Sequence, residues 1–127
     1  MASKLFDWRE DRARLCACGE VVHLRTKERV QVVDISELVA ERVRRSGVGH
    51  GVASVQVLQP AAAILVNEHP HTGTLTLNVT EGRLVLGDGQ RIFLVDLEGP
   101  RSCRVSVVVL GAPRSDPWVS EDACHSR

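Results

Sequence analysis

Only one segment of the chain has a clear helical spacing of its apolar residues, and this segment most constrains the fold that the chain can adopt. Within residues 34–46, the apolar side chains recur at helical spacing on one face. Asp34 and Glu37 have the spacing of a capping box at the start, and Gly47 suits the left-handed position that ends a helix. The sequence therefore predicts one principal helix, set early in the chain.

The rest of the chain is rich in strand-forming patterns. Residues 20–25 and 29–33 are β-rich runs across a short polar gap, which predicts a hairpin. Several later runs alternate apolar with polar residues or are continuously apolar, as strands of a packed sheet are. We expect an α+β fold, an antiparallel β-sandwich with one principal helix. The later predicted strands are residues 52–58, 61–66, 72–79, 84–86, 91–97 and 103–110.

The 127 residues are enough for one domain with its own core. The first residues are charged and lack a period, and the last ones are rich in proline and charge. We predict an N-terminal arm at residues 1–19, a β-sandwich domain at residues 20–110 and a C-terminal tail at residues 111–127.

Charge and composition exclude several classes of function. Sixteen basic residues balance sixteen acidic ones, so the chain has no net field to attract nucleic acid. No apolar run is long enough to span a membrane, and the first residues do not resemble a signal peptide. The four cysteines form no C-x-x-C pair, so reduced thiols are expected. We predict a cytoplasmic protein without a nucleic-acid or membrane partner.

Three segments resemble the YjbQ-like family, whose described activity is thiamine-phosphate synthase-like. The most specific is GRLVLGDGQRIFLVDLEGPR at residues 82–101, which also reads as two short strands, a glycine turn and a Gly-Pro-Arg corner. The other two are the Asp-Ile-Ser entry and Ser-Gly-Val exit of the helix, and the run AAILVNE at residues 62–68. Together they extend over most of residues 20–110.

The chain also departs from the family pattern. Gln59 and the two residues after it stand where members usually have His-Thr-Thr. Only residues 69–73 separate Glu68 from the next strand. Members have a long insertion at this point, which brings further histidines. Gly89 stands where members usually have Trp, and Asn78 stands where they have Pro. The scaffold features persist while the features of the substrate side are depleted.

The resemblance implies a homotrimer and a small phosphorylated ligand. Two functions remain open: a non-catalytic or weakly active oligomeric scaffold, and a divergent thiamine-phosphate synthase-like enzyme. The missing histidine and insertion favour the scaffold. The sequence identifies no catalytic residue and no cofactor.

The segment after the strand at residues 61–66 holds four candidate ligand-binding residues. Glu68 could act as a general base if it were buried, or Asn67 and Glu68 could cap the turn through bonds to the backbone. His69 and His71 form an H-x-H pair that could bind zinc with further ligands. No such ligands are evident, so a solvated loop is favoured and no metal site is predicted.

Two further candidates lie in residues 82–101. Arg101 could offer its guanidinium to a phosphate, but pairing with Asp96 or Glu98 is favoured. Gln90 could line a pocket, but a hydrogen bond inside its own turn is favoured. The candidate ligand-binding residues are therefore Asn67, Glu68, His69, His71, Gln90 and Arg101.

Overall fold

Two antiparallel sheets and one helix make up the computed structural model, which describes residues 15–70 and 73–114. This confirms the predicted β-sandwich with one principal helix. In spatial order, sheet A consists of β1 (Cys16–Arg25), β9 (Ser102–Pro113), β3 (Val48–Val57), β6 (Thr74–Thr80) and β7 (Arg83–Leu84). Sheet B consists of β2 (Gln31–Asp34), β8 (Ile92–Asp96), β4 (Ala62–Val66) and β5 (His69–Pro70).

The predicted hairpin between the first two strands is wrong. β1 pairs with β9 in sheet A, whereas β2 pairs with β8 in sheet B. The chain crosses between the sheets at Thr26, whose N–H donates to the carbonyl of Arg101 at 2.9 Å. This anchoring directs the next residues away from β1. The two strands of residues 82–101 are separated in the same way, because β7 pairs with β6 and β8 pairs with β2 and β4.

The helix forms where the period predicts it. α1 spans Ser36–Ser46 and ends at Gly47, whose φ of 77° is left-handed. At its start, a carboxylate oxygen of Asp34 accepts the Ser36 N–H at 2.9 Å. The predicted capping box of Asp34 and Glu37 is wrong, because the N-cap is Ile35 and no side chain caps the helix. Val39 and Val43 lie fully buried on the apolar stripe. Helix α1 is too short and too polar to cross a lipid bilayer.

The core lies between the two sheets and α1. Every second residue of β9 is buried, and so are Ile64 of β4 and Leu94 of β8. Fully burying one such side chain contributes about 1.5–3 kcal/mol through the hydrophobic effect. The packing of the two inner faces thus fixes the position of β8, which lies between β2 and β4 in sheet B.

The described strands extend beyond the predicted domain limits. β1 begins at Cys16, inside the predicted arm, and β9 continues to Pro113, inside the predicted tail. Residues 1–14 and 115–127 lie outside the described residues. The expectation of reduced thiols is wrong at Cys16, which is disulfide-bonded.

Candidate ligand-binding site

Most of the candidate residues lie near the two ends of β8. At its first end, Arg91 precedes the strand and Asn67 follows β4, whose last residue, Val66, is opposite Ile92. At its second end, Asp96 is the last strand residue and Arg101 follows within five residues. Because a strand rises about 3.3 Å per residue, Arg91 and Asp96 lie about 16 Å apart.

Asn67 uses its side chain to close the turn after β4. Its φ of 53° is left-handed, a conformation that asparagine tolerates better than most residues. Its N–H donates to the carbonyl of Arg91 at 3.0 Å, and its side-chain oxygen accepts the N–H of Arg91 at 2.8 Å. The amide oxygen of Asn67 is therefore occupied by the backbone.

Arg91 forms the ion pair at this end. Its Nε donates to Oδ2 of Asp34 at 2.9 Å, and both side chains are well exposed. The hydrogen bond from Arg91, followed by the one from the Ser36 N–H, lowers the pKa of Asp34 from 3.8 to about 2. The same hydrogen bond raises the pKa of Arg91 above its ordinary value. The pair joins the end of β2 to the start of β8.

Glu68 and His69, which follow Asn67 in the chain, are exposed. His69 begins the short strand β5 and is opposite Val66 of β4. Glu68 could act as a general base only if it were buried, and its side chain is exposed. His71 lies outside the described residues. Within residues 15–70 and 73–114, no three histidine, cysteine or acidic side chains come together as metal ligands.

Gln90 holds its own turn together. Its side-chain oxygen accepts the N–H of Gly87 at 2.6 Å, and its backbone N–H donates to the carbonyl of Gly87 at 3.0 Å. Gly89 adopts a φ of 75° in this turn, which glycine does without steric cost. Gln90 thus adopts the turn-forming arrangement that the sequence favoured.

At the second end of β8, Arg101 belongs to a closed polar network. Its Nη2 lies 2.8 Å from Oδ1 of the buried Asp96, and its Nε lies 3.0 Å from the same oxygen. Nη2 also donates to the carbonyl of Pro60 at 2.6 Å. The guanidinium is therefore used within the chain, in the pairing with Asp96 that the sequence favoured.

Thr26 completes this network. Its hydroxyl donates to Oδ2 of Asp96 at 2.8 Å and accepts the backbone N–H of Arg101 at 3.0 Å. Burial raises the pKa of Asp96, but the hydrogen bonds from Thr26, the Glu98 N–H and Arg101 outweigh it, so the net pKa is lowered. Asp96 is thus a stable anion inside the fold.

Gly99 lets the Gly-Pro-Arg corner approach this anion closely. A Cβ at Gly99 would lie 2.1 Å from the carbonyl oxygen of Glu28 and 2.9 Å from Oδ2 of Asp96. Only glycine fits these distances, and its N–H donates to the carbonyl of Arg29 at 2.9 Å. The specific part of residues 82–101 is therefore explained by packing around a buried carboxylate.

The structure brings the candidates together only in part. Asn67 accepts the backbone N–H of Arg91, which pairs with Asp34, and Gln90 precedes Arg91 in the chain. Arg101 lies at the other end of β8. The sequence did not predict the roles of Thr26 and Arg91, because their partners, Asp96 and Asp34, lie 70 and 57 residues away in the chain. No local pattern around either residue indicates those partners.

Comparisons with known proteins agree with the fold. No family model matches the chain. A protein of Methanothermobacter thermautotrophicus named "UPF0047 protein" is 27% identical over 128 residues, which cover 71% of this chain and 90% of that protein. Since 71% of 127 residues is about 90, more than 30 of the 128 aligned positions face gaps in this chain. This number of gaps agrees with the absence of the long insertion after Asn67 and Glu68.

Solved structures give the same result. A "YbjQ-like protein of unknown function" from Sulfolobus solfataricus P2 has a TM-score of 0.72 and is 25% identical, covering 77% of this chain and 99% of its own. An uncharacterised conserved protein of the yjbq/upf0047 family from Clostridium acetobutylicum has a TM-score of 0.65 at 24% identity, covering 71% of this chain and 98% of its own. These descriptions state no activity.

Proposed function

We propose that the chain, which is similar to YjbQ-like (UPF0047) proteins, is a non-catalytic oligomeric scaffold, and this proposal rests on that similarity and on the arrangement of its own side chains. One observation supports the loss of catalysis above all. Three of the residues predicted to bind ligand, Asn67, Gln90 and Arg101, use their side chains to close turns or a buried network. A phosphate ester requires several donors that converge on one anion. These three side chains do not supply them.

The alternative, a thiamine-phosphate synthase-like enzyme, derives from the family resemblance alone. Glu68 and His69 are the described candidates that stay available, and both are exposed. Complementation of a thiamine-requiring strain tests the choice. We expect no growth from this chain, with a characterised thiamine-phosphate synthase as the positive control. Growth restored by this chain would contradict the proposal.

The outer face of sheet B supports the oligomer. The register places Val32, Val95 and Ala63 side by side on this face, and Phe93 and Leu65 form the next row. All five are apolar, and Val32 is 58% exposed. Apolar side chains that adjoin across three strands are typical of a surface that another protein covers. We assign this face to contact with a neighbouring subunit of the homotrimer.

A charge on this face provides the test. Val32→Lys should reduce the mass of the assembly from three times the 13.9 kDa of one chain toward a single chain, measured by light scattering. Val85→Lys is the matched control, because Val85 is similarly exposed but lies between β7 and β8. An unchanged mass in Val32→Lys would exclude this face as the interface. The cytoplasmic location stays a prediction.

A further inference from the structure

The start of β1 carries a disulfide that reaches beyond the described residues. Cys16 is disulfide-bonded, whereas Cys18 and Cys103 hold reduced thiols. Because the chain has four cysteines, Cys124 is the remaining candidate within the same chain for the partner of Cys16. A bond between these two would attach the C-terminal segment, residues 115–127, to the outer strand of sheet A.

The two attachment points of this segment lie close together at one end of sheet A. Arg114 is the last described residue, and Cys16 is opposite Gly111, three residues earlier in the chain. Since a strand rises about 3.3 Å per residue and neighbouring strands lie about 4.8 Å apart, the two points are about 11 Å from each other. The chain from Arg114 to Cys124 can span about 33 Å, so it is long enough to close.

The end of α1 contacts the chain near both attachment points. Gly47, directly after α1, accepts the N–H of Arg114 at 2.8 Å. The thiol of Cys18 donates to the carbonyl of Ser46 at 3.4 Å. Cys18 lies two residues from Cys16 and therefore on the same face of β1. A segment that leaves Arg114 and returns to Cys16 thus starts and ends beside the last turn of α1.

We propose that residues 115–124 form a redox-sensitive strap over the last turn of α1, closed by a disulfide between Cys16 and Cys124. A disulfide persists in oxidising surroundings and is reduced where thiols are abundant, so the strap follows the redox state of its compartment. A dithiol reductant opens the strap by transferring two electrons. The bond between the two sulfurs breaks, each sulfur gains one proton, and the reductant becomes a disulfide.

Charge favours this position for the strap. Residues 115–123, with the sequence SDPWVSEDA, hold three acidic residues and no basic one. The last turn of α1 presents Arg44 and Arg45, both of which are exposed. Arg45 pairs with Glu41 at 3.5 Å, and no carboxylate of the described residues pairs with Arg44. An acidic segment beside this turn therefore meets arginines rather than like charges.

Thiol counting tests the covalent bond. In protein purified without reductant and then denatured, iodoacetamide should alkylate two of the four cysteines, and all four after dithiothreitol. Intact mass measures the count, and a digest of the unreduced protein should contain the peptides of Cys16 and Cys124 joined together. Four alkylated cysteines before reduction, or two chains linked by Cys16, would overturn the proposal.

Tryptophan fluorescence tests whether the segment is held as a strap. The chain has two tryptophans, so Trp8→Phe leaves Trp118, inside the strap, as the reporter. In this background, dithiothreitol should shift the emission of Trp118 to the red and increase its quenching by acrylamide. Cys124→Ser should show the same change without reductant. Equal emission and quenching in the oxidised chain and in Cys124→Ser would overturn the proposal.

Cys18→Ser is the matched control for this measurement. Cys18 lies on the same strand face as Cys16, and a serine hydroxyl can still donate to the carbonyl of Ser46. The oxidised Cys18→Ser chain should give the fluorescence of the parent protein and keep its response to dithiothreitol. Loss of that response would overturn the proposal, because the strap would then depend on Cys18.

A charge variant tests the position over α1. Arg44→Gln should make the disulfide about two- to fivefold easier to reduce in equilibrium with glutathione, because the strap loses an attraction typical of exposed charges. Quenched alkylation and mass measure this equilibrium. Arg104→Gln is the matched control, because Arg104 is also exposed but lies toward the other end of β9, opposite His23. Equal equilibria in the two variants would overturn the proposed position.

This inference concerns a single chain and goes beyond the proposed scaffold. Thiol counts and the emission of Trp118 do not depend on how many chains assemble. A failed strap therefore leaves the oligomer through sheet B untouched, and a monomeric protein leaves the strap untouched.

Discussion

Strand β8 carries an aspartate–arginine pair at each end, and the two pairs differ in almost every physical respect. Asp96 is fully buried and the Arg101 side chain is 22% exposed, whereas Asp34 and Arg91 are 38% and 45% exposed. The buried pair has further partners in Thr26 and the carbonyl of Pro60. The exposed pair has solvent around it, and Asn67 accepts the backbone N–H of its arginine.

The difference shows which polar residues the fold needs. A buried carboxylate deprived of its cation costs several kcal/mol, whereas an exposed ion pair contributes about 0–1 kcal/mol. The Gly-Pro-Arg corner surrounds the buried pair. Stability explains these residues without any ligand. The exposed end is where substitutions cost little, and where a binding site could be lost without loss of the fold.

The largest expected effect comes from removing the buried anion. Asp96→Ala should lower the free energy of unfolding by about 3 kcal/mol, because it leaves Arg101 and Thr26 without their acceptor. Urea denaturation measures this loss. Asp96→Asn, which keeps the shape and one acceptor oxygen, should cost less. A loss no greater than that of Asp34→Ala would remove the distinction between the two ends.

Thr26 should come next. Thr26→Val keeps the shape of the side chain but removes the hydroxyl that bonds Asp96 and the Arg101 N–H. We expect a loss of about 1–3 kcal/mol in the free energy of unfolding. Thr26→Ser retains the hydroxyl and serves as the control in the same urea titration. A loss in Thr26→Ser without one in Thr26→Val would show that the methyl group, rather than the hydrogen bonds, holds this crossing.

The turn at the exposed end should be less sensitive. Asn67→Ala removes the acceptor for the Arg91 N–H and places alanine at a φ of 53°, for an expected loss of about 1–2 kcal/mol. Asn67→Asp keeps an acceptor and tolerates this conformation, so thermal denaturation should give nearly the wild-type midpoint. A wild-type midpoint for Asn67→Ala would show that this turn does not depend on the side chain.

The smallest effect should come from the exposed ion pair. At neutral pH, Asp34→Asn should change the free energy of unfolding by at most about 1 kcal/mol. Because the pKa of Asp34 is lowered from 3.8 to about 2 in the fold, its contribution is complete above about pH 4 and is lost as the pH falls toward 2. Urea titrations across this range should show a shallower pH dependence in Asp34→Asn. Asp96 is present in both proteins, so the difference isolates Asp34, and identical slopes would contradict its lowered pKa.

Local patterns predicted the elements of this fold well. The helix depends on neighbours three and four residues apart, and Gly47 ends it where predicted. The strands of residues 61–66 and 103–110 appear because their apolar alternation or continuity is also local. Sheet membership is different, because it depends on pairings between distant residues. The hairpin of β1 with β2 failed for this reason: the partners of each strand lie at least 59 residues later in the chain.

The candidate site was predictable only where the partner is near in sequence. Arg101 with Asp96, and Gln90 within its turn, are pairs separated by five and three residues. Thr26 with Asp96 and Arg91 with Asp34 join residues that only the sheets bring together. For the same reason the sequence could not show that Asn67 and Arg101 lie at opposite ends of β8.

The central claim is that the predicted ligand-binding residues do not form one ligand site. Isothermal titration calorimetry of the full chain with inorganic phosphate and with thiamine phosphate tests it most directly. We predict no saturable heat for either compound at millimolar concentrations. Saturable binding that is lost both in Glu68→Gln and in Arg101→Lys, one residue at each end of β8, would contradict the account.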